Sequence, residues 1–191
     1  MTENNEQVQK FWQEFLEAKG LDDSTELYES FYFANEEWAD KLLALVLQGK
    51  KTATCGCVPS YEAEGQCLPQ AGDYSIVTNY AGDPHCVIQV KTATVLPFNE
   101  VTWDMARLEG EDEVMQTWVD GHRRFFQLEA DQYGFEFSDD TLVCFETFEV
   151  VYATESREYF GAALRCRKKC LVGHEGFEPS TFGLRVHCSA S

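Results

Sequence analysis

Two rhythms of apolar and polar positions run along the first 155 residues, one of period 3.6 and one of period two. Val8, Phe11, Trp12, Phe15 and Leu16 share one helical face, which predicts a helix over residues 8–19 closed by Gly20, with residues 1–7 frayed. An acidic connector follows over residues 21–34 and ends in Tyr28, Phe31, Tyr32 and Phe33. Core packing is the expected role of these rings, and stacking of one of them on a nucleic-acid base is the alternative. Trp38, Ala39, Leu42, Leu43, Val46 and Leu47 repeat at helical spacing in the next segment. That helix is expected to start from Asn35 as N-cap, carry Glu36 and Glu37 in its first turn, and stop on Gly49.

Period two takes over directly after Gly49. Strands are predicted over residues 52–58, 74–80, 85–96 and 141–152, with residues 59–72 forming a loop that rims a pocket. Pro97 breaks the third of these strands before a short helical segment at 101–108. A longer helix at 114–129 follows, with Val114, Met115, Trp118, Val119, His122, Phe125 and Phe126 on one face. The strands cluster rather than alternate strictly with helices. The expected class is therefore α+β with an antiparallel or mixed sheet.

Composition narrows the function. A chain of 191 residues that is 44% hydrophobic and 14% aromatic is expected to be one globular domain, here residues 1–155, with an appendage. No apolar run approaches the roughly 20 residues of a membrane helix, and the polar N-terminus does not read as a signal peptide, so a cytoplasmic protein is expected. The eight cysteines are then free thiols rather than a disulfide framework. Cys55 and Cys57 with Cys67, His85 and Cys86 do not follow the usual ligand spacing of a zinc site, so no metal and no cofactor is expected. The formal charge of −18 argues against a broad duplex-DNA footprint, because phosphates are held by lysine and arginine. A small basic site in an acidic protein suits a nucleoside or a short single strand.

The segment Gly49-Lys50-Lys51-Thr52-Ala53-Thr54, set between a helix and a strand, resembles the signature of the ASCH domain, Gly-x-Lys-x-x-Glu-x-Arg. Gly49 and Lys51 match, while Thr54 and Gly56 stand where the consensus has Glu and Arg. The longer bacterial members of that family read Gly-Lys-Lys-Thr-Ala-Thr here. The resemblance extends through Trp103–Phe126 and Val143–Tyr152 and covers roughly residues 8–153; Asp73 stands where the family opens its second barrel strand. It implies a small PUA-like β-barrel flanked by helices. It also implies a hydrolytic trio, since some small members remove the acetyl group of N(4)-acetylcytidine with a lysine, a threonine and a glutamate. Those roles fall on Lys51, Thr54 and Glu109. Lys51 would stabilise an oxyanion or act as base, Thr54 would attack or orient a water, and Glu109 would move the proton. Gly49, Lys50, Thr52, Glu111 and Arg124 are expected to contact the substrate.

Strand alternation sets a condition on this trio, because Thr52 and Thr54 share one face and Lys51 and Ala53 the other unless the residue after the helix stop escapes the pleat. Other members resemble ribonucleases or RNA-binding modules, and His122-Arg123-Arg124 is the other basic cluster of the domain. Two functions therefore stand. One is a hydrolase acting on a modified nucleoside or single-stranded RNA, and the other is a non-catalytic RNA- or nucleotide-binding module. Residues 156–191 change character. They hold six Lys/Arg and three Asp/Glu, which leaves nine and thirty, a net of −21, for residues 1–155. Their last stretch resembles a peptide read from the antisense strand of a tRNA gene, so a disordered or readthrough extension is expected. Cys166, Cys170, His174 and His187 imitate a metal motif there, and Arg165 to Lys169 a basic patch, without the weight of a selected site.

Overall fold

In a computed structural model of the chain, residues 2–153 and 185–187 are described, with side chains from residue 6 to residue 153. Helix α1 (Thr2–Lys19) leads into strand β1 (Leu27–Phe33), and helix α2 (Ala39–Leu47) into β2 (Ala53–Cys57). Helix α3 (Val58–Glu64) separates β2 from β3 (Tyr74–Thr78) and β4 (Pro84–Pro97). A 3-10 turn at Phe98–Glu100, helix α4 (Trp103–Ala106), a second 3-10 turn at Arg107–Glu109 and helix α5 (Met115–Tyr133) precede β5 (Leu142–Ala153). Arg185–His187 form β6.

The strands make one mixed sheet in the order β2-β5-β4-β3-β1-β6. Its first five strands curl into a half-barrel, and the α+β class expected from clustered strands holds. Among the described strands the β1–β3 pair is parallel and the remaining pairs run antiparallel. Strand β4 is long because it carries β5 along most of its length, with register shifts after Val87 and Val90 that bend the ladder. The remainder of the extension, including the Cys166–Cys170–His174 pattern, lies outside the described residues.

Four elements differ from the expected ones, each for a local reason. Residues 27–33, expected within a connector, form β1, because Phe31 and Phe33 turn inward at period two while Tyr32 lies between. Val58, expected to end a strand, and residues 59–64, expected within a loop, form α3; Pro59 sits in its first turn, where a missing N–H costs nothing, and Gly65 closes it at φ 68°. Helix α1 begins at Thr2, ahead of residue 8. Helix α2 takes Trp38 as N-cap, and the Asn35 side chain instead accepts from the Glu37 N–H at 3.0 Å in the turn before it.

Among the described residues four apolar clusters fill the interior, and three of them seat the longer helices on the sheet. Helix α1 lays Phe11, Trp12, Phe15 and Leu16 on Ile76 and Val87. Helix α2 packs Leu42, Leu43 and Val46 against Phe31, Phe33 and Phe148. Helix α5 sets Trp118 and Phe126 against Ala53, Cys55 and Phe145. The second and third clusters flank the first residues of β2, and the polar groups described next stand between them.

Candidate active site

Lys51 is placed by the way α2 ends. Gly49 takes φ 68°, and the N–H groups of Gly49, Lys50 and Lys51 turn back on Val46 and Leu45 carbonyls at 2.9, 2.9 and 3.2 Å. The chain then leaves the helix with the Lys50 side chain outside and the Lys51 side chain inside. A second segment is fastened to this junction. The Thr52 N–H and hydroxyl both donate to Leu108 O, at 2.8 and 3.2 Å. Gly110, at φ 72°, lies so close to the Lys50–Lys51 peptide that an added Cβ would stand 2.4 Å from Lys50 O. A glycine among four acids is thus what lets the acidic turn press onto the lysine junction.

The result is a buried ionic cluster. The Lys51 side chain is 0% exposed, and its ammonium donates to Glu109 Oε2 at 3.0 Å and to Glu111 Oε1 at 2.5 Å. The Phe33 ring lies 5.0 Å from the same ammonium. Glu109 spends its other oxygen on Trp118, whose indole Nε1 donates to Oε1 at 2.9 Å. His122 stacks on the Trp118 ring with centroids 3.9 Å apart. Its Nδ1 donates to the Trp118 carbonyl at 3.0 Å, and its Nε2 stands 3.4 Å from Glu109 Oε1 without a hydrogen bond. Three sequence segments 58 residues and more apart in part meet here: the α2–β2 junction, the acidic turn and the buried face of α5.

Burial and charge sort these groups by proton affinity. Burial pulls the Lys51 ammonium down, but Glu111 and Glu109 outweigh it and hold its pKa above the ordinary lysine value. Burial pushes Glu109 up, yet Lys51 and His122 hold it below the usual carboxylate range. Glu111 goes the other way: burial first, then repulsion from Glu109, raise it to about 7 against the pull of Lys51. Near neutral pH, Lys51 is a cation, Glu109 an anion, and Glu111 exchanges its proton.

The remaining expected site residues are positioned by β2, the α2–β2 junction and α5. Thr54 is buried in β2, in register with Glu146 on β5, and side chains of opposed residues share a face. That face is opposite the one carrying Ala53 and Cys55 toward α5. Gly49 and Lys50 are exposed, and Thr52 serves as the fastener to Leu108. Arg124 is exposed on α5 and donates to Asp120 O at 3.2 Å; two residues from His122, it points away from the cluster. Cys55, Cys57, Cys67, Cys86 and Cys144 are free thiols, and burial raises Cys57 and Cys86 to about 12. Among the described residues no group of three or more His, Cys, Asp or Glu is arranged to hold a metal ion. No helix among them is long and apolar enough to cross a membrane.

A family model described as the ASCH domain matches residues 29–152. The chain belongs to the ASCH domain family. Two solved structures are similar to it along most of their own length. An ASCH domain from Lactobacillus crispatus is 33% identical with a TM-score of 0.70, over 77% of this chain and 95% of that one. The protein EF3133 from Enterococcus faecalis is likewise 33% identical with a TM-score of 0.70, over 78% and 95%. No curated protein matches the chain. The curled sheet is accordingly the PUA-like half-barrel of ASCH domains, and α1 lies before the matched segment.

Three residues of this ASCH domain belong to the site without having been expected there. Trp118 and Phe33 looked like ordinary core rings, and nothing in their spacing shows that one donates to a carboxylate and the other faces an ammonium. Gly110 had a signal, an isolated glycine inside an acidic run.

Proposed function

We propose that the cluster around Lys51 binds a nucleoside or a short single-stranded RNA and hydrolyses an acylated amino group on a base, as in removal of acetyl from N(4)-acetylcytidine. One observation carries the proposal. A fully buried ammonium is held between two carboxylates of opposite proton affinity, at the edge of a sheet, and the lysine that carries it is the one in the Gly-x-Lys run of the family signature. Burying three charges costs several kcal/mol even when they are paired, so such a cluster is a poor device for stability alone. Amide hydrolysis needs what it contains. The Lys51 ammonium neutralises the oxyanion as the carbonyl is attacked. A carboxyl titrating near neutrality carries the proton from the attacking O–H to the leaving nitrogen, a contribution of about 100-fold or more.

The attacking oxygen is a water or the Thr54 hydroxyl, and Thr54→Val separates them. Loss of turnover with binding intact assigns the attack to Thr54; turnover within a few-fold of wild type assigns it to water. The test of the whole proposal is release of acetate from N(4)-acetylcytidine. Wild type is expected to turn over, and Lys51→Ala and Lys51→Arg to lose turnover, the arginine variant keeping the charge that the fold needs. A protein that shifts its melting temperature with cytidines or short RNA yet releases no acetate and cleaves no RNA is instead a binding module. A salt titration then distinguishes its ligands, since a slope near zero means that no phosphate is neutralised.

A further inference from the structure

We propose that Glu111 is the catalytic proton carrier of this site and that Glu109, to which the family resemblance gives that role, is a positioning residue. The inference rests on the hydrolytic reading above and assigns its proton step. Hydrogen bonding carries it. Both oxygens of Glu109 are committed inside the protein, Oε2 to the Lys51 ammonium at 3.0 Å and Oε1 to the Trp118 indole at 2.9 Å, with its side chain 1% exposed. Glu111 has one oxygen on Lys51 at 2.5 Å, while its Oε2 is buried without a hydrogen-bond partner. Its side chain is 5% exposed. A buried carboxylate oxygen left unmatched costs free energy unless a ligand meets it, whereas an oxygen already hydrogen-bonded inside the protein has its partner and meets a ligand only alongside it. Of the two carboxylates on Lys51, Glu111 is the one with an oxygen that lacks an internal partner.

The surroundings agree with that division. Lys51 from the α2–β2 junction, Glu109 from the same turn and His122 from α5 are the charged or titratable groups acting on Glu111. Their balance leaves it exchanging its proton near neutrality, while Glu109 stays ionised. Glu109 holds Lys51 and is itself fixed by the indole of Trp118, so it orients the ammonium. In the step assigned here, the Glu111 carboxylate takes the proton from the attacking O–H as the C–O bond forms. The π electrons of the carbonyl move onto oxygen beside Lys51. The C–N bond then breaks, its electron pair stays on nitrogen, and Glu111 returns the proton to that nitrogen. The oxyanion's electron pair restores the carbonyl as the C–N bond breaks. The acetylated amine and water thus give free amine and acetic acid, which ionises to acetate by releasing a proton to solvent, with no net change in Glu111.

The test measures kcat/KM for N(4)-acetylcytidine between pH 5.5 and 8.5 in wild type, Glu111→Gln, Glu109→Gln and Trp118→Phe, with circular dichroism to confirm folding. Wild type is expected to show a limb near pH 7. Glu111→Gln is expected to lose about 100-fold or more and to lose the limb. Glu109→Gln and Trp118→Phe are expected to lower the rate and keep the limb, because the proton carrier remains. Turnover with the limb retained in Glu111→Gln, or abolished in Glu109→Gln alone, overturns this assignment and leaves the hydrolytic function standing. Absence of wild-type turnover overturns that function and this assignment with it.

Discussion

Glu111→Gln also tests the electrostatics of the cluster without any substrate. In the folded protein the Glu111 carboxyl titrates at about 7 against 4.5 for an unhindered glutamate, because it is buried and faces Glu109. A displacement of that size corresponds to roughly 3 kcal/mol, at about 1.36 kcal/mol per pH unit. The sign follows from which state holds the proton. The folded-state pKa is raised, so the stability tied to this group is fully present below pH 4.5 and is lost as pH rises through about 7. Wild type should therefore weaken by up to about 3 kcal/mol over that window on account of this residue. Glutamine has the same shape, still accepts from Lys51 through its amide oxygen and does not titrate. Contributions from Glu109 and the remaining carboxylates are shared and cancel in the difference. Urea unfolding at pH 4.5, 6, 7 and 8 gives the measurement. The variant is expected to gain on wild type steadily from pH 4.5 to 8, by roughly 1–2 M in urea midpoint for a chain with a slope of ~2 kcal/mol/M. Parallel curves would refute the reasoning. They would mean that Glu111 is ionised throughout, an ordinary partner of Lys51 and no proton carrier.

Other substitutions probe the neighbouring contacts. Lys51→Met leaves two carboxylates buried against each other and should cost about 3–5 kcal/mol by chemical denaturation; adding Glu109→Gln and Glu111→Gln should recover most of it. Gly110→Ala meets the Lys50 carbonyl at 2.4 Å and a φ of 72°, so it should cost roughly 2–4 kcal/mol and detach the acidic turn from β2, read as faster amide exchange at Thr52. Trp118→Phe leaves Glu109 Oε1 unmatched and should cost about 1–3 kcal/mol with the aromatic packing kept. Arg124→Ala, on the exposed face of α5, should change stability by less than ~0.5 kcal/mol and leave nucleoside binding unchanged, measured by thermal shift.

What the sequence by itself determined was whatever a local period or a single junction carries. The α2 face, the Gly49 stop, the four predicted strands and the helix holding Trp118 and His122 are all written in nearest-neighbour spacing, and the Gly-Lys-Lys-Thr-Ala-Thr run pointed to the ASCH domain. Elements whose cause lies in a distant partner were less legible. β1 shows period two only in Phe31 and Phe33, its other residues mixing glutamate and serine with aromatics, and its parallel partner β3 lies far along the chain. The site divides in the same way. Lys51 was legible as a special lysine from its place after a capping glycine. Its partners were not, because side-chain direction within a turn such as Glu109-Gly110-Glu111 depends on what the turn packs against. Only the tertiary structure decided that Glu109 faces an indole while Glu111 keeps an oxygen open, that Arg124 faces solvent, and that Thr54 lies across from Glu146. The physical reason is that proton affinity is set by burial and by charges within a few ångströms, and both are properties of the folded surroundings rather than of the residue.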